Sequence, residues 1–115
     1  MSKNLNISLL MDFYGQLLTD KQLAALEYYY NDDLSLAEIA DEMNISRQGV
    51  RDFIKRGEKQ LDDFEQKLGL AGRFDKVRNK IEQINNSVDA LEKKIGGQGE
   101  LVRLKELVSE VTEEL

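Results

Sequence analysis

The chain predicts an all-α protein: a helix-turn-helix domain followed by a C-terminal amphipathic helical hairpin. Three observations lead there. Its 115 residues contain no proline and are rich in Leu, Glu, Lys and Gln, a balance that favours helices over strands. Residues 35–61 read as a cap, a short helix, a tight turn, a second cap and a longer helix. Beyond residue 70, apolar residues recur at alternating intervals of three and four on both sides of a glycine cluster. A hydrophobic content of 41% at this length fills one modest core but hardly two. We therefore expect a domain over residues 1–70 and an appended arm over 71–115.

The first helix is read from "LLMDFYGQLL", where Leu9, Leu10, Phe13, Leu17 and Leu18 form an amphipathic stripe that Gly15 weakens. Thr19 then stands where a helix cap is needed. Its hydroxyl is placed to accept from the amide of Gln22, and Asp20 suits the positive end of the helix dipole. The second helix runs through "DKQLAALEYYY" with Leu23, Leu26 and Tyr30 inward, and ends at the turn-prone "NDD".

Ser35 followed three residues later by Glu38 is a capping box, and it opens the short helix "LAEIADEM" with Ile39, Ala40 and Met43 on its buried edge. Asn44 and Ile45 make the turn, and Ser46 caps "RQGVRDFIKRGEKQL". A helix-turn-helix asks for a small residue where its helices cross, a turn-tolerant residue four positions on, an apolar residue next, and a branched apolar residue about five further. Ala40, Asn44, Ile45 and Val50 stand in those places. Asn enters the left-handed region at modest cost. Phe53 and Ile54 continue the inner face.

With Val50 and Ile54 inward, Arg47, Gln48, Arg51 and Lys55 fall on the other side, placed to address one groove of double-stranded DNA. The first turn of such a helix meets base edges, where Arg pairs with guanine and Gln with adenine. Arg56 and Lys59 lie further along, within reach of phosphates, and Asp52 accepts from cytosine or orients Arg51 or Arg56. The expected interface is thus Ser46, Arg47, Gln48, Arg51, Asp52, Lys55, Arg56 and Lys59.

The charge balance complicates this. The whole chain carries 16 basic against 22 acidic residues. From Arg47 to Lys59 five basic residues face two acidic ones, a local balance of +3, whereas from Asp20 to Glu42 Lys21 alone faces seven acids, a balance of −6. A basic helix on an acidic body binds DNA weakly and salt-sensitively unless the protein is dimeric or helped by a partner. The alternative function is a protein-binding adaptor whose acidic first half recruits a basic partner.

Four stretches, "MDFYGQLLTDKQ" (11–22), "YYYNDDLSLAEIA" (28–40), "SRQGVRDFIKR" (46–56) and "KLGL" (67–70), resemble the YlxM-type helix-turn-helix proteins, small bacterial proteins of the sigma-factor region 4-like class. The resemblance covers roughly the first 70 residues. It implies a DNA-binding regulatory protein. Genes of that family tend to lie beside signal recognition particle genes, which implies a link to that targeting pathway and a protein partner within it.

In the last third, Phe74, Val77, Ile81, Ile84, Val88, Leu91 and Ile95 form an a/d seam. "GGQG" (96–99) stops that helix, and Leu101, Leu104, Val108, Val111 and Leu115 repeat the spacing, so a second helix folds back antiparallel on the first. One isolated hairpin would leave much of the stripe wet. Leu61, Phe64 and Leu68 carry a similar stripe along the recognition helix. Either the hairpin packs on its own domain or two chains pair. A homodimer is the expectation, presenting two recognition helices to half-sites about 34 Å apart.

Chemistry is poorly represented. No His and no Cys means no disulfide, no thiolate metal site and none of the usual base–nucleophile pairs. The acid pairs Asp32–Asp33, Asp62–Asp63 and Glu113–Glu114 are adjacent, so on a helix they diverge. Gly96, Gly97 and Gly99 lack the Lys and Ser/Thr of a phosphate loop. We expect no enzyme, no cofactor and no metal. The segment "MSKNLNISLLMDFYGQLL" is too polar for a signal peptide, and no run approaches the roughly 18 uncharged apolar residues of a membrane span. A cytoplasmic protein follows.

Overall fold

The structure is a computed structural model that describes residues 5–97 and 99–115. The first four residues of the segment weighed as a signal peptide, and Gln98 of the glycine cluster, lie outside them. Among the described residues there are six α-helices and no strand: α1 (Leu5–Tyr14), α2 (Asp20–Leu26), α3 (Leu36–Met43), α4 (Arg47–Leu68), α5 (Leu70–Ile95) and α6 (Gly99–Glu114). The chain divides into two compact units, residues 1–71 and 72–115.

In the first unit the local signals act where they stand. The Thr19 hydroxyl accepts from the Gln22 amide at 3.2 Å, and the Gln22 side chain accepts from the Thr19 amide, so α2 opens with a complete capping box. Ser35 and Glu38 do the same for α3 at 3.1 and 3.2 Å. Asn44 closes α3 in the left-handed conformation, φ 55° and ψ 48°, with the Ile45 amide returning to the Ala40 carbonyl at 3.0 Å.

The core is built on α4, whose fully buried Val50, Ile54 and Leu61 meet α1, α2 and α3. Ile39 and Ala40 of α3, Ala25 and Leu26 of α2, and Tyr14 of α1 fill the space around them. Gly57 lets α2 and α4 approach closely: a β-carbon there would stand 2.7 Å from Leu26 Cδ1. Burying aliphatic side chains of this size contributes roughly 1.5–3 kcal/mol each.

Two details of the sequence reading need correction. The inward stripe of α1 is Ile7, Leu10, Met11 and Tyr14, continued beyond the helix by Leu18, while Leu9 and Leu17 are exposed at 38% and 58%. The chain tightens into a 3₁₀ turn at Gly15–Leu17, which rotates Leu17 outward. Likewise Tyr29, and not Tyr30, is the buried tyrosine after α2. Residues Glu27–Asn31 form a π turn, closed by the Asp32 amide on the Glu27 carbonyl at 3.0 Å. The wider turn shifts the inner face by one residue and leaves the Tyr30 hydroxyl to donate to Glu58 of α4.

The turn that follows α4 within the first unit is held by three hydrogen bonds. Gly69 ends α4 at φ 62°, a left-handed value that suits a residue without a β-carbon. The Tyr14 hydroxyl donates to Glu65 Oε1 at 2.6 Å and accepts from the Leu70 amide at 3.1 Å. Glu65 Oε1 also accepts from the Ala71 amide at 3.1 Å. Two otherwise orphan amides of the first turn of α5 are thereby satisfied. Burial of the phenol, and then its bond to Glu65, raise the Tyr14 pKa above its ordinary 10.0.

In the second unit α5 and α6 form an antiparallel hairpin. Lys105 of α6 bonds Glu92 of α5 at 3.0 Å and stands 3.7 Å from Asp89. Those two carboxylates raise the Lys105 pKa, Glu92 most. Ile81, Val88, Leu101 and Val108 are buried, whereas the alternating seam members Val77, Ile84, Leu91, Leu104 and Val111 are each about 40–50% exposed. Half of the seam is therefore used within the hairpin and half faces outward.

Candidate nucleic-acid interface

The outer face of α4 starts at its cap. The Ser46 hydroxyl accepts from the Gly49 amide at 3.0 Å, which fixes the direction in which the first turn leaves the Asn44 bend. Ser46 is thus first a structural residue of the candidate site. Behind that turn Val50 and Ile54 are fully buried, so the helix is braced from the inside and cannot roll without opening the core.

Arg47, Gln48, Arg51, Asp52, Lys55, Arg56 and Lys59 are all exposed. At about 100° per residue, Arg47, Arg51 and Lys55 descend one edge of the outer face, and Arg56 stands about 100° round from Lys55. The cations therefore form a broad band and not one line. Among the described residues Arg47, Arg51, Lys55 and Arg56 make no hydrogen bond or ion pair. Lys59 is engaged, with Asp63 at 3.3 Å, a surface pair of the i,i+4 kind worth about 0.3–0.5 kcal/mol and easily exchanged.

Asp52 takes a role the sequence reading did not give it. Its hydrogen-bond partner is the Gln48 side-chain amide, which donates to Asp52 Oδ1 at 3.3 Å, and not Arg51 or Arg56. The i,i+4 spacing brings those two side chains together on one face. Acidic Asp41 and Glu42 lie exposed on α3, the helix that precedes the turn. The candidate face is positive on α4 and negative on α3.

A trihelical core that presents a capped, exposed, basic second helix across a left-handed Asn turn defines a helix-turn-helix protein. The comparisons agree with that class. The chain belongs to the family UPF0122, described as "Putative helix-turn-helix protein, YlxM / p13 like", whose pattern it matches over residues 1–100. It is 44% identical to the UPF0122 protein of Acetivibrio thermocellus over 116 aligned positions, covering 98% of this chain and 99% of the relative. It is 42% identical to a UPF0122 protein of Thermoanaerobacter sp. strain X514, covering 93% and 92%. To the Lactococcus lactis subsp. cremoris UPF0122 protein it is 52% identical over 81 residues, 70% of this chain and 72% of the relative.

No helix among the described residues is long and apolar enough to cross a membrane. Nor does any group of three or more His, Cys, Asp or Glu among them stand ready to hold a metal ion.

Proposed function

We propose that the chain is a cytoplasmic transcription regulator that reads double-stranded DNA with α4, acting as a homodimer. Arg47, Gln48 and Arg51 read base edges from the first turn, and Lys55, Arg56 and Lys59 hold phosphates. Ser46 sets the entry angle, and Asp52 orients Gln48. Residues 1–70 carry the reading function and 71–115 the pairing function. One observation supports this reading above the others: among the described residues Arg47, Arg51, Lys55 and Arg56 have no partner, on the exposed side of a helix whose opposite side is locked into the core. Four unpaired cations on a rigid face favour an anionic ligand with a periodic backbone.

The test is a fluorescence-anisotropy titration of a labelled duplex as a function of salt. Lys55→Ala should lower the salt slope by about one counterion while shifting all sequences alike. An unchanged slope, or no binding at low salt, would overturn the proposal.

A second reading, a protein-binding adaptor of the signal recognition particle pathway, is favoured by the acidic exposed surface of Asp41 and Glu42 and the charge balance of residues 20–42. Its signature is a pull-down that survives the Arg47→Ala, Arg51→Ala double substitution and fails after charge reversal at Asp32 and Asp33. The opposite pattern would remove the adaptor.

A further inference from the structure

The outward face of the C-terminal hairpin carries a pattern that specifies its own occupant. Leu91 and Ile95 of α5 and Leu104 and Leu107 of α6 line one shallow groove, so these half-exposed residues share a face. Ile84 lines the continuation of that face along α5 with Lys80 and Ser87. Together these apolar side chains are 41–57% exposed. With Val77 and Val111 they present an apolar area on the order of 500 Å², at the upper end of what a monomer leaves uncovered. Flanked by polar side chains, that area approaches the roughly 800 Å² per partner of a standard interface.

Charge decides what covers it. On α5, Asp89 and Glu92 point to the side that meets Lys105 within the hairpin. The opposite flank, beyond Ile84, carries Lys80 four residues before it and Lys94 ten residues after it, about 40° and 80° round the helix. On α6 the flank beyond Leu104 carries Glu100 and Glu114 at the same two offsets. The outward face thus has an apolar centre, a basic edge on α5 and, on α6, an edge where Arg103 also lines the groove but is paired with Glu106 at 3.4 Å, leaving Glu100 and Glu114 as its free charges. Among the described residues none of these four charges is paired within the chain.

We infer that this face binds a second copy of itself, with α5 of each chain lying on α6 of the other. Two hairpins apposed by this face close with a two-fold axis either along the helices or across them. An axis across them sets α5 on α5 and repels lysine from lysine. An axis along them sets the basic edge of each copy on the acidic edge of the other. It also preserves height along the helices. The register fixed by Lys105 with Asp89 and Glu92 puts Glu114 level with Lys80 and Glu100 level with Lys94. Each cation then meets its counterpart across the interface, and all neighbouring helices run antiparallel, the usual arrangement of a four-helix bundle. The face is self-complementary, as an isologous dimer requires.

This inference rests on the pairing part of the proposed function and is independent of DNA reading. The experiment is sedimentation velocity on the full chain over a dilution series, with circular dichroism on every variant. The wild type is expected at twice its 13.2 kDa chain mass. Ile84→Lys with Leu104→Lys should give a monomer of unchanged helicity, since the buried Ile81, Val88, Leu101 and Val108 are untouched. Lys80→Glu with Lys94→Glu should raise the dissociation constant about tenfold, as four exposed ion pairs turned repulsive imply. Adding Glu100→Lys and Glu114→Lys to that chain should restore the dimer. A wild-type monomer at tens of micromolar would overturn the pairing itself. A dimer unaffected by the two core lysines would place the interface elsewhere, and a swap that fails to restore would refute the α5-on-α6 arrangement. Duplex binding measured on the monomeric variant tells separately whether the DNA reading stands.

Discussion

Leu26 of α2 and Gly57 of α4 meet where no β-carbon fits: one built on Gly57 would stand 2.7 Å from Leu26 Cδ1 and 3.3 Å from its Cγ. In an isolated helix Gly57→Ala would gain about 1 kcal/mol of propensity. Here Leu26 is itself fully buried. Overpacking of about 1–3 kcal/mol should therefore outweigh the gain of about 1 kcal/mol, leaving a net loss of up to about 2 kcal/mol in urea unfolding. A more stable Gly57→Ala protein would show that the two helices separate more easily than this contact implies.

That contact marks the boundary of what was legible in the sequence. Ser35 with Glu38, Ser46 and Asn44 were readable because each acts within four residues of itself, where helix geometry alone fixes who meets whom. The helix-turn-helix followed from them. Gly57, the Tyr14–Glu65 bond and the π turn at Glu27–Asn31 were not readable. Glu65 lies 51 residues from Tyr14, and nothing local to either announces the other. The π turn depends on how Tyr29 fits a core assembled by other helices, and so the inward tyrosine was misplaced by one. For the candidate site, which residues of α4 face outward was legible from period alone; the pairing of Gln48 with Asp52 required side-chain positions.

Asn44 sits in the left-handed region at φ 55°. Asn44→Gly should be neutral or stabilising by a few tenths of a kcal/mol, and Asn44→Val should cost about 1–2 kcal/mol because a branched β-carbon crowds its own carbonyl there. Thermal unfolding followed by circular dichroism checks both. A tolerated valine would mean that the turn rearranges freely, and the fixed angle between α3 and α4 would lose its basis.

Ser46 separates capping from ligand contact. Ser46→Ala should cost about 1 kcal/mol by leaving the Gly49 amide without its acceptor. Ser46→Asp should keep the cap and suit the helix dipole, so stability is retained. The added carboxylate faces the candidate interface, and duplex binding should weaken. Paired unfolding and anisotropy titrations read the two effects. Unweakened binding by Ser46→Asp would move the contact surface away from the first turn of α4.

The Tyr14 phenol has its pKa raised by burial and then by Glu65. A folded value above the unfolded 10.0 favours the protonated form in the native state, so this contribution to stability is fully present below about pH 10 and is lost as pH rises through the folded value. Tyr14→Phe should lower the melting temperature at pH 7, because the Glu65 and Leu70 bonds are gone, and should flatten the alkaline decline seen in the wild type. Melting curves from pH 8 to 11 test this, and parallel declines for both proteins would assign the alkaline limb to other groups.

The central claim is base reading by α4, and it is met most directly by selecting bound duplexes from a random DNA pool at about 100 mM salt, a concentration at which non-specific phosphate contacts are already weakened. Wild type and the Arg47→Ala, Arg51→Ala double variant are run in parallel. Enrichment of a motif by the wild type and its loss in the variant is the expected result, with a palindromic motif expected of the dimer. No enrichment by the wild type, with only weak binding that vanishes as salt rises, would contradict the claim and leave a helix-turn-helix that does not read sequence.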